Sequence, residues 1–105
     1  MEITLEKIMD PKLAQVLEFL MENPVMDYSK KDLAQETGVS RTTLYRRWPV
    51  IEDLGLVKET RKYQRTQLYK LNEESELVNL LGRIRQEIED KEVLEKKEAV
   101  SGEVA

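Results

Sequence analysis

One glycine between two short helical segments constrains this chain more than any other feature. Residues 29–37 and 41–48 both have the residue spacing of a helix, and Gly38 lies between them. Glycine adopts a positive φ at no steric cost, so the first helix can stop sharply and the next can begin within three residues. Ser29 and Ser40 stand where the two helices begin, and serine is a good N-cap. The sequence therefore predicts two helices joined by a tight turn.

The second of these helices carries polar and cationic side chains opposite its apolar stripe. Trp48 lies in the stripe together with Leu44, so we predict that it belongs to the core. The opposite face could be an ordinary solvated one. Its chemistry also fits a DNA major groove, because arginine can donate a bidentate pair to guanine and a threonine methyl can contact thymine. Four residues are predicted to contact bases: Thr42, Thr43, Tyr45 and Arg46.

The charge of the chain is unevenly distributed. The net charge is −4, but residues 28–71 carry ten Lys or Arg and five Asp or Glu, which gives +5. Residues 1–27 carry −4 and residues 72–105 carry −5. Salt screens charges beyond roughly 8–10 Å, so a basic centre between acidic ends can still attract phosphate.

Residues 56–61 and 66–71 are predicted to form two strands of a hairpin with a cationic tip. The tip has no glycine, so a longer loop is expected in place of a two-residue primed turn. The charges could serve to prevent edge-to-edge aggregation, or they could contact phosphates or the minor groove. Lys30 and Lys31 are expected only to add solubility. Seven residues are predicted to contact the DNA backbone: Ser40, Arg41, Arg47, Arg61, Lys62, Tyr63 and Arg65.

Helical patterns also precede and interrupt this region. Asp10-Pro11 is predicted to begin a helix with a single apolar stripe. Residues 3–9 are predicted to form a short helical lead-in before it. Pro49 is expected to kink or break the second helix of the turn, because proline removes a hydrogen bond and clashes with an earlier carbonyl, at a cost of ~3 kcal/mol.

The C-terminal region is predicted to be a helix over residues 72–98, followed by a disordered tail at 99–105. Its apolar residues are spaced by four, three and four positions, as in a coiled-coil seam: Leu77, Leu81, Ile84 and Ile88. The seam must be buried, either on the domain's own first helix or on a second copy. Phe19 lies off the stripe of its helix and also needs a partner. We predict a homodimer with an interface formed by Phe19, Leu77, Leu81, Ile84 and Ile88.

Several classes of protein do not fit the composition. The chain has no histidine and no cysteine, which removes the commonest general base, thiolate nucleophiles and the usual zinc ligands. It also lacks a glycine-rich phosphate loop. We therefore expect no enzyme activity, no cofactor and no metal. No apolar run is long enough to span a membrane, the N-terminus is unlike a secretory signal, and the absence of cysteine fits the cytoplasm.

The order helix, short strand, helix, turn, helix and hairpin resembles the winged helix-turn-helix family, most closely its small archaeal and bacterial transcriptional regulators. The resemblance covers roughly residues 5–71. It is carried by Leu33-Ala34, Gly38-Val39-Ser40, Leu44-Tyr45-Arg46-Arg47, Leu54-Gly55-Leu56-Val57 and Leu68-Tyr69. The expected fold class is α+β, mainly α: a winged helix-turn-helix over residues 1–71 with a C-terminal helix that pairs with a second copy.

The resemblance implies binding to double-stranded DNA, with recognition helix 40–48 in the major groove and wing 58–70 on the flanking backbone or minor groove. The function expected is that of a sequence-specific transcriptional regulator. Two alternatives stay open. One is a docking module of transcription or replication machinery, and the other is a plasmid or viral replication or copy-control protein.

Overall fold

The computed structural model describes the backbone of residues 4–104 and the side chains of residues 4–94. Within that part the chain forms five helices and one two-stranded antiparallel sheet, which confirms the predicted fold class. The elements are α1 (Leu5–Ile8), α2 (Pro11–Glu22), α3 (Lys30–Thr37), α4 (Arg41–Asp53), β1 (Val57–Tyr63), β2 (Thr66–Leu71) and α5 (Glu76–Val104).

Helix α2 begins as the sequence predicts. The Asp10 side chain accepts a hydrogen bond from the Leu13 amide, and Pro11 occupies the first helical position, where its missing N–H costs nothing. One face of the helix is buried and contributes four residues to the core: Leu13, Val16, Leu17 and Leu20. The apolar stripe therefore sets how α2 packs.

Helix α4 is longer than predicted. It is continuous through Pro49 and ends at Asp53, so the predicted break does not occur. Proline lacks an N–H, so the Tyr45 carbonyl loses its ordinary helical partner. Trp48 and Ile51, which flank the proline, are both buried, and their packing holds the helix together across it. Gly55, at φ +66°, then turns the chain towards β1.

The hairpin turn also differs from the prediction. Gln64 and Arg65 form a two-residue turn between β1 and β2, and both have positive φ, at 48° and 72°. That backbone matches the right-handed twist of the strands, as in type I′ turns. The left-handed conformation costs roughly 1–2 kcal/mol per non-glycine residue. The pairing of β1 with β2 therefore outweighs the backbone cost of this turn. A bulge lies in β1 between Glu59 and Lys62.

A short bridge joins the start of α3 to the sheet. The Tyr28 amide donates to the Tyr69 carbonyl at 2.7 Å, and the Tyr69 amide donates to the Tyr28 carbonyl at 2.8 Å. The extended segment before α3 is therefore fixed to the middle of β2. This bridge fixes the position of α3, the first helix of the turn, relative to the hairpin.

Part of α5 packs on its own domain. Val78 is only 3% exposed, and Leu77 and Leu81 pack half-buried against the core. The Arg85 guanidinium lies 2.9 Å from a Glu22 carboxylate oxygen, which ties α5 to α2.

Phe19, which the sequence assigned to the dimer interface, has an aromatic partner within its own chain. Its ring contacts Tyr28, with ring centroids 5.1 Å apart, and it packs against the core. The helical pattern of α2 alone could not show this, because Tyr28 lies beyond the end of that helix.

Helix α5 continues to Val104, past residue 98, where the sequence predicted that it would end and give way to a disordered tail. Six of residues 91–100 are Glu or Lys, which have high helix propensity, and this favours the extension. Ile3 of the predicted lead-in and Ala105 of the predicted tail lie outside the described residues.

Candidate nucleic-acid interface

The turn between α3 and α4 has the predicted geometry. Ser29 and Asp32 form a complete capping box at the start of α3, and Gly38 ends the helix at φ +76°. Val39 is buried beneath the turn. The Ser40 hydroxyl then accepts a hydrogen bond from the Thr43 amide, which caps α4. Each local signal in the sequence thus has the structural role that its chemistry predicts.

The outward face of α4 presents three of the four predicted base-contacting residues. Thr42, Tyr45 and Arg46 are exposed, and Tyr45 has half of its surface in solvent. Thr43 is half-buried, and its hydroxyl accepts a hydrogen bond from the Ser40 hydroxyl at 2.9 Å. Within residues 4–94, no carboxylate lies within 4.0 Å of the Arg46 guanidinium, so Arg46 can bind an external acceptor.

Arg47, unlike Arg46, has a carboxylate partner among the described residues. Its Nε and Nη2 donate to the two carboxylate oxygens of Asp10, at 2.5 and 3.1 Å. The pair is partly buried and joins α4 to the cap of α2. The sequence placed Arg47 among the phosphate contacts, whereas the structure gives it a carboxylate partner inside the domain. The sequence signal for Asp10 was that of a helix cap, and it gave no sign of this second role.

The Asp10 carboxylate is expected to stabilise the fold in a pH-dependent way. Hydrogen bonds from Arg47 hold the pKa of Asp10 below its ordinary value. A lowered folded pKa stabilises the fold above the unfolded pKa of about 3.9, and that contribution is lost as the pH falls through the folded pKa. Asp10→Asn keeps the cap and removes the ion pair, so we expect it to lower stability at pH 7 by about 1 kcal/mol.

Urea unfolding at pH 7 and pH 3 tests this expectation. The difference in the free energy of unfolding between wild type and Asp10→Asn should be smaller at pH 3 than at pH 7. Asp53→Asn is the matched control, because Asp53 is exposed and has no ion pair within the described residues. A difference that is the same at both pH values would show that the ion pair does not contribute.

The hairpin contributes an exposed cationic tip. Lys62, Tyr63 and Arg65 are exposed, and within the described part of the chain neither cation has a carboxylate partner. Arg61 is 3.0 Å from Asp27, although most of its side chain is in solvent. Two hydrogen bonds hold the pKa of Asp27 below its ordinary value. The one from Thr60 has the larger effect, and the one from Arg61 the smaller. Asp27 therefore ties the middle of β1 to the segment before α3.

A groove of about 780 Å³ lies between the start of α3, the outward face of α4 and the hairpin. Its lining includes the cations Lys30, Lys31, Arg41 and Arg61 and the carboxylates Asp27 and Asp32. Both carboxylates already accept hydrogen bonds within the domain. Of the residues predicted to contact DNA, the groove is lined by Tyr45 from the base-contacting set and by Arg41, Arg61 and Tyr63 from the backbone-contacting set.

Lys30 lies in this groove in a position that the sequence did not predict. Its ammonium is within 6 Å of the ring centroids of Tyr45, Trp48 and Tyr69. Lysines at the start of a helix are common on solvated surfaces, so the sequence alone gave Lys30 only a solubilising role. The three rings come from two other elements, and only the tertiary fold brings them together.

The described residues form neither a metal-binding cluster nor a membrane-spanning helix. No three His, Cys, Asp or Glu side chains among them are placed to hold a metal ion. None of the helices they form is long and apolar enough to cross a membrane.

Comparison with known proteins identifies the fold. No protein-family model matches the sequence. No curated protein matches it either. Among solved structures, the transcriptional repressor BigR from Xylella fastidiosa is 27% identical and superposes with a TM-score of 0.56, over 76% of this chain and 80% of BigR.

Two other solved structures are similar over much of their length. The homodimeric winged helix-turn-helix DNA-binding domain of Mb0332 from Mycobacterium bovis has 22% identity and a TM-score of 0.61, over 84% of this chain and 76% of that one. A mutant of the type III plasmid segregation protein TubR has 21% identity and a TM-score of 0.61, over 79% and 85%. The chain therefore has the winged helix-turn-helix fold, with α3 and α4 as the two helices of the turn and β1–β2 as the wing.

Proposed function

We propose that this protein is a sequence-specific regulator of transcription that binds double-stranded DNA. The observation that carries the proposal is the cationic surface formed by α4, the wing and the groove between them, because several of its cations have no carboxylate partner among the described residues. Four such cations lie on α4 and the wing tip and have no ion pair within the described residues: Arg41, Arg46, Lys62 and Arg65. Free cations around a protruding helix supply the phosphate attraction that duplex binding requires.

The exposed residues divide by position into two roles. Thr42, Tyr45 and Arg46 on the outward face of α4, together with the half-buried Thr43, are proposed to contact base edges in the major groove. A second set is proposed to contact the backbone or the minor groove: Ser40, Arg41, Arg61, Lys62, Tyr63 and Arg65. Arg47 is left out of the proposal because it is paired with Asp10.

The structural neighbours support this reading. BigR is described as a transcriptional repressor, and Mb0332 as a possible ArsR-family transcriptional regulator with a homodimeric DNA-binding domain. Binding of this kind needs no catalysis, and we propose no enzyme activity for the chain.

Binding of a fluorescent duplex at several salt concentrations tests the proposal. Affinity should fall steeply with salt, and Arg65→Ala should reduce the salt slope by about one unit. Arg83→Ala is the matched control, because Arg83 is an exposed arginine on α5, which is part of neither α4 nor the wing, and should leave the slope unchanged. Absence of salt-dependent binding would contradict the proposal and favour a protein docking module.

We also propose that the protein is a homodimer. Half of the predicted α5 seam is used within the domain, but Leu80, Ile84 and Ile88 form an exposed apolar stripe at a spacing of four residues. Between 45% and 57% of each of these side chains is in solvent. A second copy would present the same stripe, and two-fold pairing of this kind is the commonest form of oligomer. The homodimeric Mb0332 domain supports this choice of partner.

Sedimentation equilibrium tests the dimer. Wild type should sediment as a dimer, and Ile84→Glu should be monomeric because it places a charge in the apolar interface. Val25→Glu introduces the same chemistry at an exposed apolar residue outside α5 and should stay dimeric. A monomeric wild type, or a dimeric Ile84→Glu, would contradict the assignment.

A role in plasmid maintenance is the second candidate, because TubR, described as a plasmid segregation protein, has the same fold. Both roles require duplex binding through the same groove. The sequences that the protein selects, and where they lie relative to promoters and replication origins, would separate the two.

A further inference from the structure

We propose that Lys30 is a positioning residue of the DNA interface, whose ammonium holds the exposed ring of Tyr45 in place for contact with DNA. This inference rests on the proposed DNA binding and adds a residue that the sequence treated only as a solubilising charge. It also gives Lys30 a second role, because its charge faces the same groove that would receive phosphate.

The geometry is that of a lysine surrounded by aromatic rings. The Lys30 Nζ lies 5.1 Å from the ring centroid of Trp48, 5.6 Å from that of Tyr45 and 5.9 Å from that of Tyr69. A cation is attracted to the face of an aromatic ring within about 6 Å of its centroid. All three distances meet that condition, so one ammonium links rings from α4 and β2 to the first residue of α3.

Two of the three rings are fixed. Trp48 and Tyr69 are both buried, and their centroids are 4.8 Å apart in an edge-to-face arrangement. The indole Nε1 of Trp48 also donates to a Glu52 carboxylate oxygen at 2.6 Å. Tyr45, in contrast, is half exposed. The Lys30 ammonium therefore connects one solvent-facing ring to two that the core holds still.

The backbone of Lys30 is equally well anchored. The residue before it, Ser29, is buried and caps α3, and Tyr28 forms the bridge to Tyr69. The backbone fixes the start of the Lys30 side chain, and the two buried rings attract its ammonium.

The rings leave the charge of Lys30 available. Within residues 4–94, no carboxylate lies within 4.0 Å of its ammonium, and the nearby Asp32 is held in the capping box. An ion pair such as that of Arg47 with Asp10 neutralises the cation, whereas an aromatic ring attracts it without cancelling its charge. Lys30 can therefore hold Tyr45 and attract a DNA phosphate at the same time.

Three variants test the inference. Lys30→Met keeps the side-chain length and removes the charge, and Lys30→Arg keeps a cation over the rings. Lys31→Met is the matched control, because Lys31 is the next residue, lines the same groove and has no aromatic contact within the described residues. Lys30→Met and Lys31→Met thus lose the same charge at nearly the same place.

The free protein gives the first measurement. Trp48 is the only tryptophan, so its fluorescence reports on the ring cluster directly. We expect Lys30→Met to change its emission, and Lys30→Arg and Lys31→Met to leave it close to that of wild type. Unchanged emission in Lys30→Met would overturn the inference whatever the protein binds.

Duplex binding gives the second measurement. Lys30→Met should weaken binding about tenfold more than Lys31→Met, which corresponds to one cation–π contact, and Lys30→Arg should restore most of the loss. In a Tyr45→Ala background the two Met substitutions should cost the same. Equal losses already in the wild-type background would overturn the inference while leaving the proposed function intact. Failure of wild type itself to bind duplex DNA would instead overturn the proposed function, and this inference with it.

Discussion

Leu33→Ala is expected to lower the free energy of unfolding by about 3 kcal/mol. Leu33 has no exposed surface and belongs to the core that α2, α3, α4 and the hairpin share. Alanine removes buried methyl groups and leaves a cavity. The ends of α3 are capped and hydrogen-bonded, so the cavity does not collapse. A domain of this size typically has about 5–15 kcal/mol of stability in total, so the loss is large.

Chemical denaturation monitored by circular dichroism gives this number directly. Leu5→Ala is the matched control, because Leu5 is a helical leucine with 72% of its surface exposed. The control should change stability by no more than about 0.5 kcal/mol. A loss below 1 kcal/mol for Leu33→Ala would mean that the helix-turn-helix core is not packed as described.

The second large effect is expected at the recognition helix. Arg46→Ala should weaken binding to the preferred duplex by about 1–3 kcal/mol, or roughly 5- to 150-fold, and should relax the preference at one base pair. The reason is geometric: Arg46 is exposed on the outward face of α4, and no carboxylate in the described part of the chain competes for its guanidinium. A bidentate pair with guanine supplies discrimination of that size.

The comparison with Arg83→Ala separates base recognition from charge. Both substitutions remove one exposed arginine, but Arg46 lies on the outward face of α4 and Arg83 lies on α5. Competition titrations with duplexes altered one base pair at a time give affinity and preference together. An Arg46→Ala protein that binds with unchanged affinity and unchanged preference would show that this face of α4 does not read bases.

The elements with strong local signals could be predicted from sequence. The caps at Asp10, Ser29 and Ser40 and the positive φ at Gly38 depend on chemistry within a few residues, and each has the predicted role. Apolar periodicity in the same way identified the buried face of α2. In these regions, local preference and tertiary packing favour the same structure.

The differences arise where tertiary contacts override local preference. Proline disfavours a helix interior, and glutamine and arginine disfavour positive φ, yet the buried residues around Pro49 and the pairing of β1 with β2 impose both conformations. Arg47 with Asp10 and Lys30 with its three rings are contacts between residues far apart in sequence. Local patterns carry no information about such pairs, so the ion pair of Arg47 and the ring contacts of Lys30 became clear only from the structure.

The central claim is that the groove between α4 and the wing reads DNA sequence. Selection of duplex DNA from a random pool, with the purified protein at near-physiological salt, tests it most directly. We predict enrichment of an inverted repeat whose half-site centres lie about 10 base pairs apart, as expected for two recognition helices on one face of the duplex. Recovery of bound DNA without any enriched sequence, or of no bound DNA, would contradict the claim.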